Sequence, residues 1–271
     1  MKNIILLLGL IAYSNSHAAL SFSVQPNTLI SDEAIYHNMA KSLSLAVGEE
    51  VNYIKARSLN VFSKELLRNK YDIVLMEPHI AAWFLKSGDN GGTEHDLLLA
   101  SAASLRYEII TPDSKPYQSI TDLNGKSVCA PLSPSLATVA FMSEVSNPVN
   151  PPIAFNIKSN QHALLSLQKK RCEAVVIEGR DQSFWRESSI PFKTIYTSQS
   201  FPSWVMTIYA IHPPQIKNAL NKFLSSPELA SSPIAEFYQL IEQSPKASFM
   251  QNPSDDDYLP YNILPGVVWG W

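Results

Sequence analysis

The chain has 271 residues, 24 acidic and 21 basic, for a formal net charge of −3. No basic stripe runs through it, and its longest basic run, Lys169-Lys170-Arg171, reads as the solvated end of a helix, which excludes nucleic-acid binding. Apolar residues make up 45% of the chain, enough for a substantial core, and past the N-terminus no apolar run approaches about 18 residues, so the mature chain reads as soluble.

In chain order, Lys2 supplies a positive start and Ile4 to Tyr13 a short apolar stretch. Ser14-Asn15-Ser16-His17-Ala18 then places small residues before a cut at Ala19. This is the layout of a secretory signal peptide over 1–18, too short to remain as a spanning helix. No Cys follows the apolar stretch, which argues against a lipid anchor. The remaining length suits two lobes or one large domain.

Alternation over Leu20 to Val24 predicts a strand ending at Gln25-Pro26-Asn27, and Ser31-Asp32-Glu33 caps a helix through Val47. Val51 to Lys55 reads as a strand, Val61 to Asn69 as a helix, Tyr71 to Met76 as a buried strand and Pro78 to Lys86 as a helix. Strand and helix in alternation mean parallel strands with right-handed crossovers. A polar loop over 87–96 precedes strands at Leu97 to Ala103 and Tyr107 to Thr111.

A second series follows: strand Lys126 to Ala130, helix from Ser135, strand Ile153 to Ile157, helix Asn160 to Lys170, strand Glu173 to Ile177, and helix Phe184 to Ser188. The chain returns through strands at Lys193 to Tyr196 and Val205 to Ile211. His212-Pro213-Pro214 then starts a helix to Leu224, and Ser232 to Glu242 forms another. The reading is an α/β chain of two lobes, each a mostly parallel sheet flanked by helices, joined by two hinge strands. Lobe one comprises 19–107 plus 197–271, and lobe two 108–196.

Two cysteines, Cys129 and Cys172, face an oxidising compartment, so a disulfide is the natural pairing. Against it, one Cys falls late in a strand and the other just before a parallel neighbour, an offset of roughly 10 Å at about 3.3 Å per residue. The two readings stand level. Neither Cys has a ligand partner at metal-site spacing.

Several segments together resemble the phosphate/phosphonate-type periplasmic binding proteins of ABC transporters (type 2 periplasmic binding proteins). Tyr71–Ala82 (YDIVLMEPHIAA) is similar to that family's strand "VDLAFLGPAAY". Tyr107 to Lys126 (YEIITPDSKPYQSITDLNGK) resembles its hinge strand with "S-L-x-D-L-K-G-K". Asn160–Glu178 (NQHALLSLQKKRCEAVVIE) resembles "S-H-x-A-x-x-A-L-x-x-G-x-V-D-A-A-x-V-D", and Trp204–Gln215 with Asp257-Tyr258 resembles its closing features. The ordered set covers nearly the whole mature chain. The resemblance implies a periplasmic, non-catalytic protein, monomeric and without cofactor, that clamps a small anionic or zwitterionic ligand for an inner-membrane ABC permease. The same fold serving a membrane signalling protein as a ligand sensor is the alternative.

The family's anion loop, of the form "G-S-T-S-G-Y", aligns here with Ser133-Pro134-Ser135-Leu136-Ala137-Thr138. Leu136 and Ala137 replace two hydroxyls, although the backbone amides of a helix start do not depend on side chains.

Ligands in open α/β lobes sit beyond the carboxyl ends of the strands. That rule nominates Asn27, Ser58, Glu77 and His79 in lobe one, and Ser133, Ser135, Thr138 and Glu178 in lobe two. Tyr107 and Trp204 lie at the crossings, where each stacks on ligand or packs the hinge. Ser135 serves equally as a helix cap. Glu77 and Glu178 suit an ammonium or another donor, or are solvated strand ends. Arg57 pairs an anion or remains a surface charge. No G-x-S-x-G, H-E-x-x-H, C-x-x-C or Gly-rich phosphate loop is present, so no enzymatic reading is favoured and no metal site is read.

Overall fold

A computed structural model describes residues 19–26, 30, 32–85, 95–132, 135–145, 149–250, 254 and 257–258. The signal segment 1–18, Asn27, Ser133, most of the polar loop and the aromatic C-terminal tail lie outside the described residues.

Strands β1 (Leu20–Val24), β2 (Val51–Tyr53), β3 (Ile73–Met76), β4 (His95–Ala100) and β12 (Val205–Tyr209) form the first sheet, in the order β2-β1-β3-β12-β4. Strands β6 (Tyr107–Pro112), β7 (Ser127–Pro131), β8 (Ile153–Ile157), β9 (Ala174–Glu178) and β10 (Phe192–Thr197) form the second, in the order β10-β6-β9-β7-β8. A short antiparallel ribbon of β5 (Ser104–Leu105) and β11 (Phe201–Pro202) lies on the two crossings. Within each sheet one strand opposes the rest. β12 runs antiparallel to β3 and β4, and β6 antiparallel to β9 and β10. Each reversed strand belongs to a segment that has just crossed, or is about to cross, between the sheets.

Helices cover both faces of both sheets. In β3, Ile73 and Leu75 pack with α1 (Ala34–Val47), α7 (Pro214–Leu224) and α8 (Pro233–Glu242). Val74 and Met76 pack on the opposite face with α2 (Leu59–Leu66) and α3 (Pro78–Leu85). Period-two geometry thus turns an unbroken apolar run into two cores, each fully buried aliphatic contributing about 1.5–3 kcal/mol. β9 repeats the scheme: Ala174 and Val176 face α4 (Leu136–Ser143), while Val175 and Ile177 face α5 (Asn160–Gln168) and Trp185 of α6 (Gln182–Arg186).

Boundaries shift where local chemistry outweighs pattern. Ser58 accepts from the Val61 amide at 3.2 Å, starting α2 at Leu59 rather than Val61. His95 and Asp96, read as loop, join β4 because Tyr209 and Ile208 pair with them.

Cys129 and Cys172 are bridged, with Cα atoms 5.6 Å apart. The offset inferred for an extended strand does not apply. Lys170 takes a positive φ of 54° and the Arg171 amide bonds back to Ser166, so the chain turns before β9. Cys172 is thereby tucked into the apolar cluster that holds Cys129.

Two stability tests follow from this architecture. The bridge closes a sequence separation of 43 residues, for which chain entropy gives about 4 kcal/mol. Replacing both cysteines by Ala should therefore lower the unfolding free energy in urea by about 2–4 kcal/mol, and an unchanged midpoint would count against that constraint.

Burial depresses the His95 imidazole from 6.5 to about 4; Asp96 and Asp72 oppose this and His212 adds to it. The unfolded chain therefore binds a proton that the fold refuses, so stability is intact above pH 6.5 and falls as pH drops toward 4. Over that window the wild type should lose more stability than His95→Gln, by up to about 3 kcal/mol. Parallel pH profiles of the two proteins in thermal melts would contradict this.

Candidate functional site

The carboxyl ends of the two sheets face one another. Glu77 directly follows β3, and its carbonyl accepts the Ile80 and Ala81 amides and so begins α3. Its side chain reaches to the other sheet, where the Leu136 amide, first in α4, donates to Glu77 Oε2 at 3.1 Å. Gln25, immediately after β1, fixes Glu77 from two sides. Gln25 Nε2 donates to Glu77 Oε2 at 2.6 Å, and the Glu77 amide donates to Gln25 Oε1 at 2.8 Å. His79 is fully buried with Nδ1 4.0 Å from Glu77 Oε2.

Ser135 caps α4, accepting from the Thr138 amide at 3.4 Å, and Thr138 Oγ1 donates to the Pro131 carbonyl at 2.6 Å. Together these tie the start of α4 to the end of β7.

Beside Gln25, a cavity of about 230 Å³ opens at the ends of β1 and β2. Gln25, Glu33, Tyr36, Tyr53 and Lys55 supply its polar lining, and Lys55 forms an ion pair with Glu33. The Tyr36 and Tyr53 rings lie 5.2 Å apart. Burial, then Tyr36 and Glu33, push the Tyr53 phenol well above its usual range, so it stays a neutral hydroxyl. A second cavity, of about 220 Å³, lies on the crossing between Arg106, Glu178, Gly179 and Glu242.

Among the sequence-nominated residues, the structure gathers Glu77, His79, Ser135 and Thr138 at the facing strand ends. Glu178 closes β9 on the crossing cavity, and Ser58 caps α2. Tyr107 and Trp204 are buried. The Tyr107 ring meets Phe201 at 5.8 Å, and the Trp204 ring meets Phe237 at 5.6 Å. Asn27 and Ser133 fall outside the described residues. Sequence reasoning passed over Gln25, Glu33, Tyr36, Tyr53 and Lys55. Gln25 and Lys55 follow the ends of β1 and β2 and were within reach of the strand-end rule. Glu33 and Tyr36 sit just before and on α1, and only the folded register brings them there. Among the described residues no group of His, Cys, Asp and Glu could hold a metal, and no helix is long and apolar enough to cross a membrane.

Two α/β lobes joined by paired crossings, with polar groups gathered where their strand ends meet, define the clamp architecture of a solute-binding protein. The family model for "ABC transporter, phosphonate, periplasmic substrate-binding protein" matches residues 22–248, and the chain belongs to that family. It is therefore a solute carrier rather than an enzyme, with a periplasmic setting, a small-molecule ligand and an ABC permease as partner. No curated protein sequence matches the chain.

Solved structures agree on the fold, that of type 2 periplasmic binding proteins. XAC2383 from Xanthomonas citri bound to chloride superposes with a TM-score of 0.68 at 13% identity, covering 92% of this chain and 97% of its own. PhnD1 from Prochlorococcus marinus in complex with methylphosphonate gives 0.63 at 8% identity, with 90% and 96% covered. A binding-protein component of an ABC phosphonate transporter from Pseudomonas aeruginosa gives 0.59 at 14%, with 89% and 83% covered.

Gln25→Leu keeps the bulk but removes both bonds to Glu77. It should cost about 1–3 kcal/mol in urea unfolding, and a change of a few tenths would show that this clamp contributes little.

Proposed function

We propose that this chain captures a small zwitterion between lobes divided as 19–107 with 197–271 and 108–196, and delivers it to its permease. The observation carrying this is the Glu33–Lys55 ion pair on the wall of the tyrosine-lined cavity at the lobe-one strand ends. An incoming zwitterion can exchange into that pair, its acid taken by Lys55 and its ammonium by Glu33, without leaving either charge alone. Tyr36 and Tyr53 offer ring faces and a neutral hydroxyl. Across the cleft, Glu178 at the end of β9 supplies a surface on which closure draws, and a ligand touching both lobes favours the closed state through those added contacts. Residues 1–18 act as the cleaved export signal, and the mature chain works as a monomer.

A thermal-shift screen of amino acids, betaines, aminophosphonates, sulfonates and simple oxyanions tests the reading. A true ligand at 100 times its dissociation constant stabilises by about 2.7 kcal/mol. Lys55→Ala and Tyr53→Ala should each weaken that ligand by about tenfold or more while leaving circular dichroism unchanged. No response to any zwitterion, or unaltered affinity in both variants, would refute it.

A further inference from the structure

The start of α4 is the point at which this fold offers an anion the most. Its first amides lack intrahelical partners, the peptide dipoles add positive character, and the site lies beyond a strand end, facing the other lobe. In this chain a carboxylate already stands there, and it comes from the opposite lobe. Glu77 leaves the end of β3, crosses to α4 and accepts the Leu136 amide at 3.1 Å. It is buried, only 8% exposed, and is held in that pose by Gln25 at both its amide and its carboxylate. Pro78 follows it, and the Glu77 carbonyl is committed to starting α3, so the backbone below the side chain has little freedom to swing away.

We propose that Glu77 is the specificity-determining residue of this cleft: a tethered anion that takes the place of an oxyanion on α4 and turns such ligands away. The proposal rests on the reading of the cleft as a solute site. A phosphonate or phosphate entering at Leu136 would have to displace a hydrogen-bonded carboxylate or sit against it, and like charges in a buried site repel strongly. The acid of the solute is accordingly received at Lys55, leaving α4 to Glu77. Two further features fit. The residues following the Ser135 cap are Leu136 and Ala137, which offer no hydroxyl, and Ser135 spends its own oxygen on the Thr138 amide. What this helix start retains for an outside anion is backbone alone, and Glu77 already takes the first of those amides, that of Leu136.

The test is an oxyanion titration of the full mature protein by calorimetry, with methylphosphonate and inorganic phosphate at fixed ionic strength. Wild type should show no saturable heat up to millimolar concentration. Glu77→Ala vacates the Leu136 amide and should bind both ions saturably, at least about tenfold tighter than wild type. If Glu77→Ala does not fold, Glu77→Gln answers in its place, since it keeps the volume and removes the charge; saturable oxyanion binding by it supports the proposal. Tight methylphosphonate binding by wild type overturns it, as does a folded variant that gains no oxyanion. The zwitterion screen reads Lys55 and Tyr53, whereas this titration reads α4, so either reading can fail while the other holds.

Discussion

Both sheets are covered on both faces, and that constraint places everything else. A strand such as β3, with Ile73 and Leu75 on one side and Val74 and Met76 on the other, has no face left for chemistry. Polar function is pushed to the strand ends, where the backbone runs out of ladder partners and helices begin. The Glu77 carboxylate, the Gln25 amide, the Ser135 cap and the Lys55–Glu33 pair all sit at such ends. The amide of Leu136 meeting Glu77 is where one lobe's ends touch the other's. Specificity in this chain is therefore a matter of what its loop residues offer each other before any solute arrives.

Much of the fold was legible because it rests on periodicity and punctuation. β1 and β8 begin and end where alternation and flanking polar residues put them, and Pro214 and Pro233 open α7 and α8 as N-terminal prolines do. Misplacements came where tertiary pairing decides. His95 and Asp96 look like loop until β12 lies beside them, and Cys172 looks out of reach until the turn at Lys170 folds it under the sheet.

The site was less legible than the fold. Glu77 and Ser135 could be nominated as strand-end and cap residues, but their meeting across the lobes depends on two segments 59 positions apart arriving face to face. Tyr36 carries no signal of its own, since an aromatic on an amphipathic helix reads as core. Only the ring of Tyr53 beside it reveals a cavity wall.

The antiparallel placement of β12 has a consequence for how the chain is made. Lobe two is one continuous stretch between the crossings, and its β-sheet can close as soon as β10 has emerged. Lobe one cannot. Until β12 arrives, β3 offers a bare, wholly apolar edge, and the helices α7 and α8 that cover one face of its sheet come later still. The N-terminal segments therefore keep that edge unpaired until the whole middle of the polypeptide has been made. The later-emerging lobe is thus the first able to fold, and the earlier one waits on its own C-terminal segment.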